Sequence, residues 1–95
     1  MLPELGQTVS YIIRKRAIIL IHAGHQYTRL KIYKNGSVIW RCVRHGVGCK
    51  GFITIKEGEI VRVTAHTCPP DYQKCDFEIK FFNLYKNQLL RNYHF

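Results

Sequence analysis

Residues 39–51 read Ile-Trp-Arg-Cys-Val-Arg-His-Gly-Val-Gly-Cys-Lys-Gly, and residues 66–71 read His-Thr-Cys-Pro-Pro-Asp. Cys42 is followed after six residues by Cys49, after sixteen more by His66, and after one more by Cys68. Four nitrogen or sulfur ligands are what a closed tetrahedral zinc site requires. Gly46 and Gly48 lie between the first two cysteines, so the loop can fold Cys49 back toward Cys42. His66 and Cys68 are two residues apart, and in an extended segment such residues face the same way. The pattern differs from the common two-Cys, two-His finger, whose histidines sit three to five residues apart on a helix. Cys75 is an alternative to Cys68, and His45 offers another nitrogen inside the first loop. The competing reading makes the cysteines small apolar core residues and His66 an ordinary strand histidine.

Working outward, the size of the chain asks for such a site. Ninety-five residues and 11.2 kDa allow one small domain and a tail. Domains this small are marginally stabilised by their own core and often need a staple. The four cysteines Cys42, Cys49, Cys68 and Cys75 could form two disulfides in three pairings, or bind a metal together with histidine. Met1–Ser10 lacks the charged start and apolar core of a secretory signal. A reducing compartment is therefore expected, where cysteines read as metal ligands. The longest apolar run, Ala17 to Ile21, is far too short to span a bilayer.

The formal net charge is +9, and it is not spread evenly. From Leu5 to Lys56 there are ten basic residues and no acidic one, whereas the bases and acids from Glu57 onward cancel. Such asymmetry within one domain points to a phosphate-facing surface. The alternative is a solvated face that keeps the protein soluble.

The hydropathy pattern predicts short strands. Residues 1–16 read as a flexible basic N-terminal arm ending in Arg14-Lys15-Arg16. Residues 17–22 read as a buried strand. Gln26 to Tyr33 alternates, with Thr28, Leu30 and Ile32 on one side and Tyr27, Arg29, Lys31 and Tyr33 on the other. Asn35-Gly36 signals a hairpin turn, and the next strand puts Val38, Trp40 and Cys42 on one face. Residues 44–50 read as a loop. Residues 51–55 and 59–64 form a second hairpin across Lys56-Glu57-Gly58. Pro69-Pro70 ends regular structure. The domain is thus expected over 17–71 and a C-terminal helical tail over 72–95, where Cys75, Ile79, Phe82 and Leu89 repeat at helical spacing. The expected fold is a small zinc-stabilised antiparallel β domain of four to five short strands with a C-terminal α-helix.

The stretches Leu20-Ile-His-Ala-Gly24-His-Gln-Tyr27, Ile39-Trp40-Arg41-Cys42, Cys49-Lys50-Gly51 and His66-Thr-Cys68-Pro69-Pro70-Asp71 together resemble the FLYWCH zinc finger, a relative of the WRKY and GCM zinc domains. The chain departs from that family's pattern at two points. Cys68 stands where the family usually has histidine, and Ile39 where it usually has an aromatic, with no Phe opening the motif. A thiolate still binds zinc and adds negative charge to the site. The resemblance implies a sheet clamped at one end by one structural zinc, held here by Cys42, Cys49, His66 and Cys68. It also implies a nuclear setting such as the insect chromatin proteins with a BTB domain, where a basic helical tail follows the finger.

A site with four protein ligands has no open position for a substrate. No Ser-His-Asp cluster can be placed, so neither catalysis nor a small-molecule substrate is expected. The first expectation is DNA binding, through the face carrying Tyr27, Arg29, Lys31 and Tyr33, with Lys34, Arg41 and Arg44 adding phosphate contacts. In the related WRKY domain the equivalent strand enters the major groove. RNA could use the same face by stacking. The second expectation is a nuclear or chromatin protein partner held through the apolar tail, which carries Phe77, Phe81, Phe82, Leu84, Tyr85, Leu89 and Leu90. The competing reading packs that tail on the back of the sheet.

Overall fold

The computed structural model describes the backbone of residues 9–93 and side chains through residue 84. Six strands form one antiparallel sheet: β1 (Ser10–Arg14), β2 (Ala17–His22), β3 (His25–Ile32), β4 (Val38–Cys42), β5 (Phe52–Lys56) and β6 (Glu59–Val63). Their order in the sheet is their order in the chain. A helix, α1 (Tyr72–Tyr93), follows. The β domain with a C-terminal helix is as the sequence predicts, with one strand more.

That extra strand is β1. Where an arm was expected over 1–16, Ser10–Arg14 pairs in register with β2, Ile12 opposite Ile19. Residues 1–8 lie outside the described residues. The reason for the strand is the alternation Tyr11-Ile12-Ile13, which buries Ile12 and exposes its neighbours. Lys15 and Arg16 are then not the end of an arm but a two-residue turn, with φ of 51° and 69°. Ala23-Gly24 and Glu57-Gly58 also turn with positive φ at both positions. Such turns match the right-handed twist of the strands they join, which explains the three tight hairpins β1–β2, β2–β3 and β5–β6. The Asn35-Gly36 turn forms as expected; the Asn35 carboxamide oxygen accepts bonds from the Ser37 N–H and hydroxyl at 3.0 and 2.7 Å.

β2 is buried on both faces, as its β-branched run predicts. Ile19 and Ile21 join Ile12 on one face, where Cys75, Ile79 and Phe82 of α1 cover them. Leu20 faces the other way and packs with Tyr27, Trp40, Cys42, Ile53 and Ile55. The tail thus packs on the sheet through one stripe, while Phe77, Phe81 and Leu84 of α1 remain exposed. The side chains of Tyr85, Leu89 and Leu90 lie outside the described residues. The helix starts where Asp71 caps it, accepting the Lys74 N–H at 3.0 Å. The Asp71 N–H in turn donates to the Gly24 carbonyl at 2.8 Å. A Cβ on Gly24 would meet Pro70 at 2.8 Å, so glycine lets the helix start sit against the β2–β3 turn. Arg14 bridges to Glu78 at 2.9 Å and to the Gln26 carboxamide at 3.0 Å, tying β1 to both α1 and β3.

Candidate metal centre

β4 ends at Cys42, and the expected loop over 44–50 contains a short 3-10 helix, Val43–Val47. Gly48, with φ of 97°, reverses the chain. The Cys42 N–H donates to the Gly51 carbonyl at 3.0 Å, so the two ends of the loop are clamped and Cys49 returns beside Cys42. After β6 the chain runs back along this end of the sheet. The Thr64 N–H donates to the Phe52 carbonyl at 2.9 Å, and the Thr67 hydroxyl to the Gly48 carbonyl at 3.3 Å. His66 and Cys68 are thereby delivered to the two cysteines.

The ligand atoms converge. Cys68 Sγ lies 3.7 Å from Cys42 Sγ and 3.3 Å from Cys49 Sγ. His66 Nδ1 lies 3.3 Å from Cys49 Sγ and 3.8 Å from Cys68 Sγ. For Zn–S near 2.3 Å and Zn–N near 2.1 Å, the edges of a tetrahedron are about 3.6–3.8 Å. The donor set and its spacing therefore fit one zinc ion. The four cysteines are all free thiols, and the two-disulfide alternative is not what the structure holds.

His25, at the start of β3, also reaches the cluster. Its Nδ1 is 3.6 Å from Cys68 Sγ. One ligand atom from each of His25, Cys42, His66 and Cys68 lies within 4.8 Å of all the others, a group able to hold one metal ion. Cys49 is not in that group, but its Sγ lies 3.3 Å from both Cys68 Sγ and His66 Nδ1, which makes five candidates for four positions. The two imidazoles are stacked, centroids 3.5 Å apart and planes at 12°. An imidazole lone pair lies in its ring plane, and one ion cannot lie in two parallel planes that far apart. Only one of the two histidines can point at the ion in this arrangement. The sequence names His66 and misses His25 as a candidate. The signal was spacing across strands: Tyr27 pairs with Cys42, which places His25, two residues earlier on the same strand face, at the same end.

His66 is held from its far side. Its Nε2 lies 2.6 Å from the Tyr27 hydroxyl. With Nε2–H donating to that oxygen, Nδ1 is left with its lone pair toward the sulfurs. Gly51 lies flush against the other side of the ring, where a Cβ would overlap His66.

The thiols are not equivalent. Burial pushes the Cys42 thiol up, and its Cys49 and Cys68 neighbours add to that against the Arg44 N–H, bringing it to about 12. Burial also pushes on Cys49, but the N–H groups of Gly51, Cys68 and Thr67 and the Cys68 thiol outweigh it and bring Cys49 down to about 5. Cys68 is held above the usual thiol range by burial and by Cys49. Burial lowers His25, with His66 and His22 adding repulsion. Of the two alternative ligands, Cys75 is packed among Ile12, Ile19 and Ile21 and His45 is exposed on the 3-10 helix; neither belongs to the group.

The expected basic face is only partly assembled. Tyr27 is 0% exposed, a core residue and not a surface one. A bulge follows Arg29, so that Arg29 pairs with Trp40 but Lys31 with Ile39. Adjacent residues of β4 point to opposite faces, so Arg29 and Lys31 no longer share one. Beyond the bulge, the Lys31 ammonium sits 5.0 Å over the Tyr33 ring, and Lys34 follows in the turn. Arg29, Lys31, Tyr33, Lys34 and Arg44 are exposed, and Arg41 is half-buried.

The family model of the FLYWCH zinc finger domain matches residues 11–67, well over half of the chain. The match begins within β1, ahead of the boundary expected at residue 17. No match was found among curated proteins or among solved structures.

Proposed function

The chain belongs to the FLYWCH zinc finger family, and from that premise we propose that it is the DNA-binding module of a nuclear transcription or chromatin regulator. Its zinc role is structural. We assign the ion to Cys42, Cys49, His66 and Cys68, because His66 Nδ1 has two sulfur neighbours and a fixed far side, whereas His25 Nδ1 has one. When bound, the ion clamps β4, the Cys49 loop and the segment after β6 into one end of the sheet; all four positions are filled by protein, and no catalysis is assigned to it.

The observation that carries the DNA reading is the hairpin β3–β4. Its tip projects Lys31, Tyr33 and Lys34 into solvent, from a half of the chain that holds ten bases and no acid between Leu5 and Lys56. β5 flanks β4 as far as Val38, so it is the connection between Ile32 and Val38 that would enter a groove, and Arg29 and Arg44 supply phosphate contacts nearer the metal end. Selection from random duplex DNA with the zinc-loaded protein at physiological salt tests this. Enrichment of a short motif supports a sequence-reading tip; no enrichment, with binding that vanishes as salt rises, leaves only electrostatic contact.

A second reading, a module for a chromatin protein partner, has its own observation. Phe77 and Phe81 are 65% and 63% exposed on α1, with ring centroids 6.1 Å apart. We read this outward aromatic stripe as a protein contact; no helix among the described residues is long and apolar enough to cross a membrane.

A further inference from the structure

We propose that the outer edge of β1 accepts an extended peptide as a seventh strand, and that this peptide alternates apolar side chains with carboxylates. The proposal rests on the protein-partner reading and specifies its site and chemistry. It uses a surface away from the β3–β4 tip and shares with the DNA reading the side chain of Arg29.

β1 is the first strand of the sheet, so one row of its N–H and C=O groups has no strand beside it among the described residues. Hollows flank this strand on both faces. One, of about 540 Å³, is floored by Ile12, Ile13, Phe81 and Phe82. The other, of about 460 Å³, is walled by Tyr11, Ile18 and Trp40 and shares Ile12, Ile13 and Phe82 with the first. Successive side chains of a strand point to opposite faces. An added strand would therefore drop alternate residues into the two hollows while its backbone pairs with β1, which is how strand addition combines affinity with selectivity.

Charge selects the occupant. Arg14, Lys15, Arg16 and one carboxylate, Glu78, border the first hollow and Arg29 the second, so bases outnumber acids at both. The ion pair at this edge, Arg14 with Glu78, involves none of Lys15, Arg16 and Arg29, and among the described residues no other carboxylate reaches them. A carboxylate-bearing strand would be attracted to that rim. A second copy of this chain would not: its own edge strand carries no acid and would bring Arg14, Lys15 and Arg16 against a like-charged rim on a chain of net charge +9.

The test uses the full zinc-loaded chain and a fluorescent synthetic peptide alternating isoleucine with glutamate, with a lysine counterpart as control. Saturable binding of the acidic peptide is expected, with new hydrogen-exchange protection of the β1 amides. The charge-removing pair Lys15→Asn and Arg16→Gly keeps residues that favour the left-handed turn and should weaken binding about tenfold or more. Ile13→Pro, which bars pairing along part of the edge, should do the same. Absence of binding, equal binding of the lysine peptide, or a dimer of the chain held through β1 in sedimentation would each overturn the proposal. Binding that disappears in Phe81→Ala, but without β1 protection, would overturn strand addition and leave the coarser partner reading in place.

Discussion

The Tyr27 hydroxyl lies 2.6 Å from His66 Nε2, and Tyr27 is the largest fully buried side chain among the described residues. A residue that the alternation of β3 puts on an outer face is instead the support behind a metal ligand. Tyr27→Phe keeps the ring and removes the bond. Supporting groups of this kind are worth about 10–100-fold in metal affinity. Chelator competition should show zinc affinity falling within that range while the fold persists at saturating zinc. An unchanged affinity would mean that His66 is oriented by packing alone.

Gly51 gives a steric test of the same ligand. A Cβ there overlaps the imidazole of His66, and the ring cannot retreat because His25 is stacked 3.5 Å away. Gly51→Ala should cost about 1–3 kcal/mol of stability by overpacking and weaken zinc binding as well. Thermal unfolding with and without zinc separates the two: a loss confined to the zinc-free protein would show that metal binding overrides the clash.

The uneven thiols fix a pH dependence. Without metal at pH 7, Cys49 is ionised at about 5, Cys42 is protonated at about 12, and Cys68, raised above its ordinary range, is protonated too. Binding through three thiolates should therefore release about two protons from cysteine. Protons compete with zinc, so affinity falls as pH falls, by roughly 100-fold per pH unit near neutrality. It steepens below about pH 5, where Cys49 also takes up a proton. Zinc titration in weak buffer with a pH indicator counts the protons directly. Release of one proton or fewer would exclude Cys42 or Cys68 as a ligand.

The metal end was legible because its chemistry is local: two cysteines bracket a glycine loop, and His66 and Cys68 share a face by simple alternation. The turns were legible at Asn35-Gly36 and Glu57-Gly58, where Gly36 and Gly58 take the positive φ that glycine favours. Lys15-Arg16 did not announce itself, since neither residue favours that conformation; pairing between Ile12 and Ile19 imposes it. The bulge after Arg29 is equally silent in composition, yet it moves Lys31 to the other face. His25 escaped for a third reason. Its place depends on the register between β3 and β4, and register across the connection from Ile32 to Val38 is set by tertiary packing, not by spacing along the chain.

The bulge also sharpens what mutation of the basic residues should do. If the β3–β4 tip engages DNA, Lys31→Ala and Lys34→Ala act there, whereas Arg29→Ala acts on the opposite face beside Trp40. Each phosphate that is no longer neutralised should flatten the dependence of log affinity on log salt by roughly 0.9. Lys31→Ala with Lys34→Ala should free about two phosphates and, where the tip reads bases, blunt sequence preference. Arg29→Ala should free at most one and leave preference intact. Fluorescence anisotropy across a salt series measures both quantities. Equal effects from the two sides of the bulge would mean that charge alone, and not the hairpin tip, meets the nucleic acid.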